Sequence, residues 1–152
     1  MKITSDQIRK VRESTGAPML RVKKVLEEVK GDIKKAEKIL IKEGFEKIEK
    51  RAERVTSQGI VETYTHHSGK IASVVELLCE TDFVARNELF KELAHNLALQ
   101  VASIEVKSIK DLEKQEFIKD PTKKVVDLVN EVIRKTGENI RIGRFYRIEI
   151  GR

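Results

Sequence analysis

The apolar residues of this chain keep a helical period as far as about residue 55 and a strand-like one after residue 58, and this change constrains the fold more than any other feature. Before it, three short runs are separated by glycines. Thr4 and Gln7 have the form of a capping box, followed by Ile8, Val11 and then Gly16 at the position of a C′ glycine. Pro18 suits the first position of a second helix, in which Met19, Val22, Val25, Leu26 and Val29 fall three and four apart until Gly31. Asp32 caps a third, with Ile33, Ala36, Ile39 and Leu40 inward and Gly44 at its end. The prediction is a three-helix module over residues 1–44. Phe45, Ile48, Ala52 and Val55 keep the helical spacing among Lys, Glu and Arg, which predicts a charged linker helix over 45–57.

At "TSQG" the pattern breaks. "IVETYTHH" and "KIASVVELLCE" are rich in β-branched residues and flank "SG", which predicts an antiparallel hairpin. Phe90, Leu93, Ala94, Leu97, Ala98 and Val101 form a helical stripe that must pack on the sheet. A loop through "EVKSIKDLEKQEFIKDP" leads to Pro121 and a helix carrying Val125, Val126, Leu128, Val129, Val132 and Ile133, stopped by Gly137. In "NIRIGRFYRIEI", Ile140, Ile142, Tyr146, Ile148 and Ile150 alternate with Arg141, Arg147 and Glu149, as in a half-buried third strand. Residues 58–152 are therefore expected to form an α+β core, a small antiparallel sheet covered by helices.

Charge divides along the same line. Residues 1–58 hold 16 Lys and Arg against 10 Asp and Glu, and residues 59–152 hold 15 against 15, so the net charge of +6 lies wholly in the first third. A basic module on a neutral body suits docking on an acidic surface, either nucleic acid or protein. The Lys residues are interleaved with Glu and no aromatic stacking set accompanies them, so solvated faces account for most of this charge and no nucleic-acid partner is expected. Cys79 is the single cysteine, which excludes an internal disulfide and fits a reducing compartment. With no run of about 18 apolar residues and no signal-peptide core in "MKITSDQIRK", the expectation is a soluble, cytoplasmic protein with no membrane partner.

Catalytic patterns do not emerge. His66 and His67 adjoin a turn, where strand geometry sends neighbouring side chains to opposite faces, so a shared metal is not expected. Cys79 ends an apolar strand and reads as an inert buried thiol, and His95 borders the apolar stripe of its helix as a surface histidine. The phosphate-binding pattern G-x-x-x-x-G-K-[ST] is absent. A non-enzymatic binding protein without cofactor or metal is the expectation. One stretch stands apart. In "CETDFVARNELF", Asp82 and Phe83 lie at the join between strand and helix. Phe83 precedes Phe90 by seven residues on the same helical stripe, so the residues alone favour core, with Thr81 or Asp82 as N-cap; an exposed tip is the alternative, since Arg86 and Asn87 interrupt the stripe between them.

"CETDFVARNELFKELAH", the upstream "SGKIASVVELL" and the N-terminal "TGAPMLRVKKVLEEVKGDIKKAEKIL" closely resemble translation elongation factor Ts over nearly the whole chain. The resemblance implies a guanine-nucleotide exchange factor for elongation factor Tu, with a ubiquitin-associated-like three-helix module at its N-terminus. It implies that Arg12, Met19 and Leu20 dock on the nucleotide domain of elongation factor Tu. The tip Thr81, Asp82 and Phe83 is then expected to displace the Mg²⁺ and phosphate region, with Asp82 also capping its helix, while a further part of the body touches elongation factor Tu elsewhere. Arg21 stands where the family carries an acid, so it is left out of the docking set. Longer members carry a second core subdomain and a helical hairpin, which "VASIEVKSIKDLEKQEFIKDP" here bridges directly. Short members pair two chains, so a homodimer in a two-plus-two complex is expected, with the edge of the small sheet as a natural contact. Two other readings are an RNA- or ribosome-binding protein using the basic third, with steep salt dependence, and an adaptor that binds through the module without affecting nucleotide.

Overall fold

Thr4 opens the first helix as its spacing with Gln7 predicts: its hydroxyl accepts from the Gln7 amide, and Gln7 accepts in return from the Thr4 amide. A computed structural model of the chain describes residues 2–152. α1 (Ser5–Thr15) ends at Gly16, whose φ of 67° is left-handed, and α2 (Met19–Glu28) follows with Pro18 just outside it as N-cap. α3 (Ile33–Arg51) starts from Asp32, which accepts from the Lys35 amide. Val11, Val22, Val25, Leu26, Ala36 and Leu40 form the core of this first unit, Met1–Glu53. Met19, expected in the inward stripe of α2, is instead 56% exposed.

The linker helix is a correction. α3 runs unbroken through Gly44 to Arg51, so no separate helix begins at Phe45. Gly44 does not take the positive φ that Gly16 and Gly31 adopt. A glycine inside a helix costs only about 1 kcal/mol, and the strong helix formers on either side carry the helix across it.

In the second unit, Arg54–Arg152, β1 (Gln58–Thr65) and β2 (Ile71–Cys79) form the expected hairpin. β5 (Ile140–Glu149) lies antiparallel on the other side of β2, giving the order β1-β2-β5. α5 (Glu88–Ser103) covers one face of this sheet with Phe90, Leu93, Ala94, Leu97, Ala98 and Val101, all buried against Val75, Leu77 and Cys79. Ser73 donates to the Ala98 carbonyl at 2.6 Å, which ties sheet to helix. α7 (Val125–Thr136) packs on α5 and β5 through Val125, Val129, Val132 and Ile133, and ends at Gly137 with φ 76°. The architecture is α+β, with helices on one face of a small antiparallel sheet.

Two expectations in this unit fail. The bridging stretch is not a loop: it contains α6 (Ile109–Lys114) and a ribbon of β3 (Glu116–Phe117) and β4 (Asp120–Lys124). Pro121 lies in β4, and α7 starts only at Val125. The ribbon is held by Gln100, a fully buried amide that donates to the Gln115 side chain and the Glu116 carbonyl and accepts from the Ile118 amide. Such a tertiary contact has no periodic trace in sequence. The second failure concerns β5. A bulge between Val75 and Leu77 reverses its faces, so Ile140 and Ile142 are buried while Tyr146, Ile148 and Ile150 are exposed. Gly143 sits at the bulge, where a Cβ would lie 2.3 Å from the Glu76 carboxylate, and that carboxylate accepts from the Arg144 amide and guanidinium.

Candidate functional site

β2 ends in a buried residue, Cys79, and the next four residues turn the chain outward. Burial, with the Glu138 carboxylate nearby, pushes the Cys79 thiol up to about 11, so it stays protonated and donates to the Thr81 carbonyl at 3.1 Å. Thr81 is extended and caps α4 (Asp82–Ala85), accepting from the Val84 amide at 3.3 Å. The cap is therefore Thr81 and not Asp82. Asp82 occupies the first helical position and pairs with Arg86 at 2.9 Å on the surface.

Phe83 is 83% exposed, whereas the next two residues, Val84 and Ala85, are buried. The open choice between core and tip is thus resolved as to burial: Phe83 projects. The reason is a break in the helix. Asn87 is extended and caps α5 by accepting from the Leu89 amide, so Phe83 and Phe90 belong to different helices and share no stripe.

Behind the tip lie residues that sequence reasoning missed. Glu138 accepts from the amides of Glu80 (3.2 Å) and Thr81 (2.9 Å) and from the Thr81 hydroxyl (2.6 Å). Glu80 in turn accepts from the Asn139 amide at 2.7 Å and lies 3.6 Å from the Arg54 guanidinium. The available signal was Glu138 following the Gly137 stop, but its use needs β2 and β5 to be neighbours, which periodicity alone does not reveal.

The other expected site residues lie in the first unit. Arg12 is exposed in the last turn of α1, and Met19 and Leu20, the latter 84% exposed, open α2. Arg21 is engaged within the module: its Nε donates to Glu43 at 2.9 Å, a second guanidinium nitrogen also pairs with Glu43, and Glu28 lies at 3.6 Å. Hydrogen bonding from Arg21 lowers the Glu43 carboxyl below the usual range, and the same bond raises Arg21. Arg21 thus links α2 to α3.

His66 and His67 depart from expectation, because β1 ends at Thr65 and their rings stack at 4.1 Å instead of pointing apart. Among the described residues, no group of three or more His, Cys, Asp or Glu is placed to hold a metal ion. His95 is exposed as expected, edge-on to Tyr64 at 6.4 Å. No described helix is long and apolar enough to cross a membrane.

Comparison with known proteins agrees with the N-terminal and tip motifs. The family model for Elongation factor TS matches residues 80–152. Elongation factor Ts of Thermotoga maritima is 44% identical over 194 aligned positions, covering 99% of this chain and 98% of that protein. The alignment is longer than this chain, so that relative carries segments this chain lacks. Elongation factor Ts of Nitratidesulfovibrio vulgaris is 36% identical over 196 positions, with the same coverage. That of Clostridium kluyveri is 40% identical over 150 positions, covering 99% of this chain but only 49% of the longer protein. With similarity of this extent along the whole chain, the protein belongs to the elongation factor Ts family of translation elongation factors.

Proposed function

We propose that the chain is a guanine-nucleotide exchange factor for elongation factor Tu, acting in the cytoplasm without a cofactor or a catalytic group of its own. The observation that carries this reading is Phe83, a large aromatic left 83% exposed on a short helix that Thr81 caps and whose next two residues are buried. A bound guanine nucleotide is held chiefly through Mg²⁺ and phosphate contacts, so a stiff apolar group pushed against that region weakens the strongest part of the site. Thr81 and Asp82 present Phe83, and the barrier lowered is nucleotide escape. By linkage, the nucleotide weakens binding of this chain as much as the chain weakens binding of the nucleotide, so the factor turns over.

Arg12, Met19 and Leu20 form the docking face of the ubiquitin-associated-like module. The second copy of a homodimer covers the sheet face of Val61, Val74, Tyr146 and Ile148, which lies opposite the face that α5 covers and is self-complementary in being apolar on both partners. This shifts the expected contact from the sheet edge to the sheet face. Two elongation factor Tu molecules then bind two chains. Ile148→Asp is expected to yield a monomer in analytical ultracentrifugation, and a variant that stays dimeric rejects the face.

The exchange reading is tested by release of a fluorescent GDP analogue from elongation factor Tu. Acceleration by the chain, lost in a folded Phe83→Ala variant, supports it. No acceleration by the natural sequence overturns it.

A further inference from the structure

The last backbone pair between β2 and β5 is Cys79 with Ile140. One step on in the same antiparallel register, Glu80 stands opposite Asn139 and Thr81 opposite Glu138. At those two rungs, carboxylates take over from carbonyls. Glu138 receives the amides of Glu80 and Thr81, and Glu80 receives the amide of Asn139. The clasp is reciprocal, and Asn139 anchors it further by donating from its side chain to the Arg54 carbonyl at 2.9 Å.

A four-residue helix has too few internal hydrogen bonds to hold its own direction. α4 is held from below by the buried Val84 and Ala85 and at its start by its cap, and Glu138 controls the cap. A carboxylate is acceptor-only, so the Thr81 hydroxyl must direct its one hydrogen to Glu138 at 2.6 Å. Its lone pairs are then left for the Val84 amide. The same carboxylate holds the Thr81 amide, so the cap residue is fixed through both its main chain and its side chain. Phe83 lies two residues further on, with its ring largely exposed.

We propose that Glu138 is a positioning residue for the tip, acting through Thr81 to fix the direction in which Phe83 projects. Its effect on nucleotide release rests on the exchange reading above; its effect on the tip does not.

The test uses the full chain with Glu138→Ala, Glu138→Gln and, as a variant that removes only the hydroxyl, Thr81→Val. Amide hydrogen exchange is followed alongside GDP release from elongation factor Tu. In Glu138→Ala, the amides of Glu80, Thr81 and Val84 are expected to exchange about tenfold faster or more, while Leu93 to Val101 stay protected. The maximal release rate is expected to fall about tenfold, with the half-maximal concentration unchanged. Glu138→Gln, which keeps one acceptor oxygen, recovers part of both losses, and Thr81→Val reproduces the loss at Val84. Added to Phe83→Ala, Glu138→Ala causes no further loss of release.

Unchanged amide exchange at Glu80 to Val84 overturns the proposal. So does faster exchange spread across α5, or an additional loss of release on the Phe83→Ala background, since either makes Glu138 a general structural residue. If the natural sequence accelerates no release, the exchange reading fails, and amide exchange alone then decides for or against Glu138.

Discussion

Phe83 and Leu20 are almost equally exposed, at 83% and 84%, yet they are mounted differently. Phe83 stands on a short helix with a side-chain cap, a carboxylate behind the cap and two buried residues after it. Leu20 is the second residue of the ten-residue α2, which has no side-chain cap bond at Pro18. The difference fits two tasks. A group that displaces another must be braced against recoil, whereas a group that only adds contact area needs presentation, because its own partner supplies the packing.

The largest effect that would break or sharpen this division is at Phe83. Phe83→Ala is expected to cut the maximal rate of GDP release about thirtyfold or more, the scale of a hot spot worth about 2 kcal/mol. Leu20→Ala is expected to raise the half-maximal concentration about tenfold and leave the maximal rate alone, as loss of a docking anchor should. If the two variants exchange signatures, or share one, the contrast between brace and anchor fails. Next, Thr81→Ala is expected to lower the stability of the body by about 1 kcal/mol in urea titration, since it removes a working N-cap.

The smallest effects separate the two units by pH. Cys79 is raised from 9.0 to about 11 in the folded chain. The fold therefore binds that proton more tightly, and the associated stability is full below 9.0 and declines as pH rises through about 11. Cys79→Ala should remove this alkaline loss. Glu43 is lowered from 4.5 by its bond from Arg21. Its contribution is present above 4.5 and declines as pH falls through the depressed value. Glu43→Gln should flatten the acid limb of the first unit's melting curve and leave the second unit unchanged.

What the sequence made legible was local. Thr4 with Gln7, Asp32, Gly16 and Gly137 each carry their structural instruction within a few residues, and the stripe from Phe90 to Val101 states its own burial. The exposure of Phe83 was not legible from spacing, because the seven residues to Phe90 look like one stripe until Asn87 starts a new helix. Nor were non-local features. Gly44 looked like a stop because glycine is permissive as well as breaking, and only its φ separates the two uses. The ribbon around Pro121 depends on Gln100, and the clasp depends on which strand lies beside β2. None of these partners is near in sequence.

The bulge opposite Glu76 acts on β5 as a reading-frame shift acts on a message. Before it, the isoleucines are read into the core; after it, the same alternation is read outward, and Arg147 and Glu149 turn in to face each other at 2.8 Å. The strand thus serves two readers with one repeating phrase. Taking Gly143 into the ladder as an ordinary rung would restore the frame, place Tyr146, Ile148 and Ile150 under the helices, and turn that ion pair out to solvent, whereas deleting it would leave their faces as they are. One residue without a side chain therefore decides whether the back of the sheet greets water with oil or with charge.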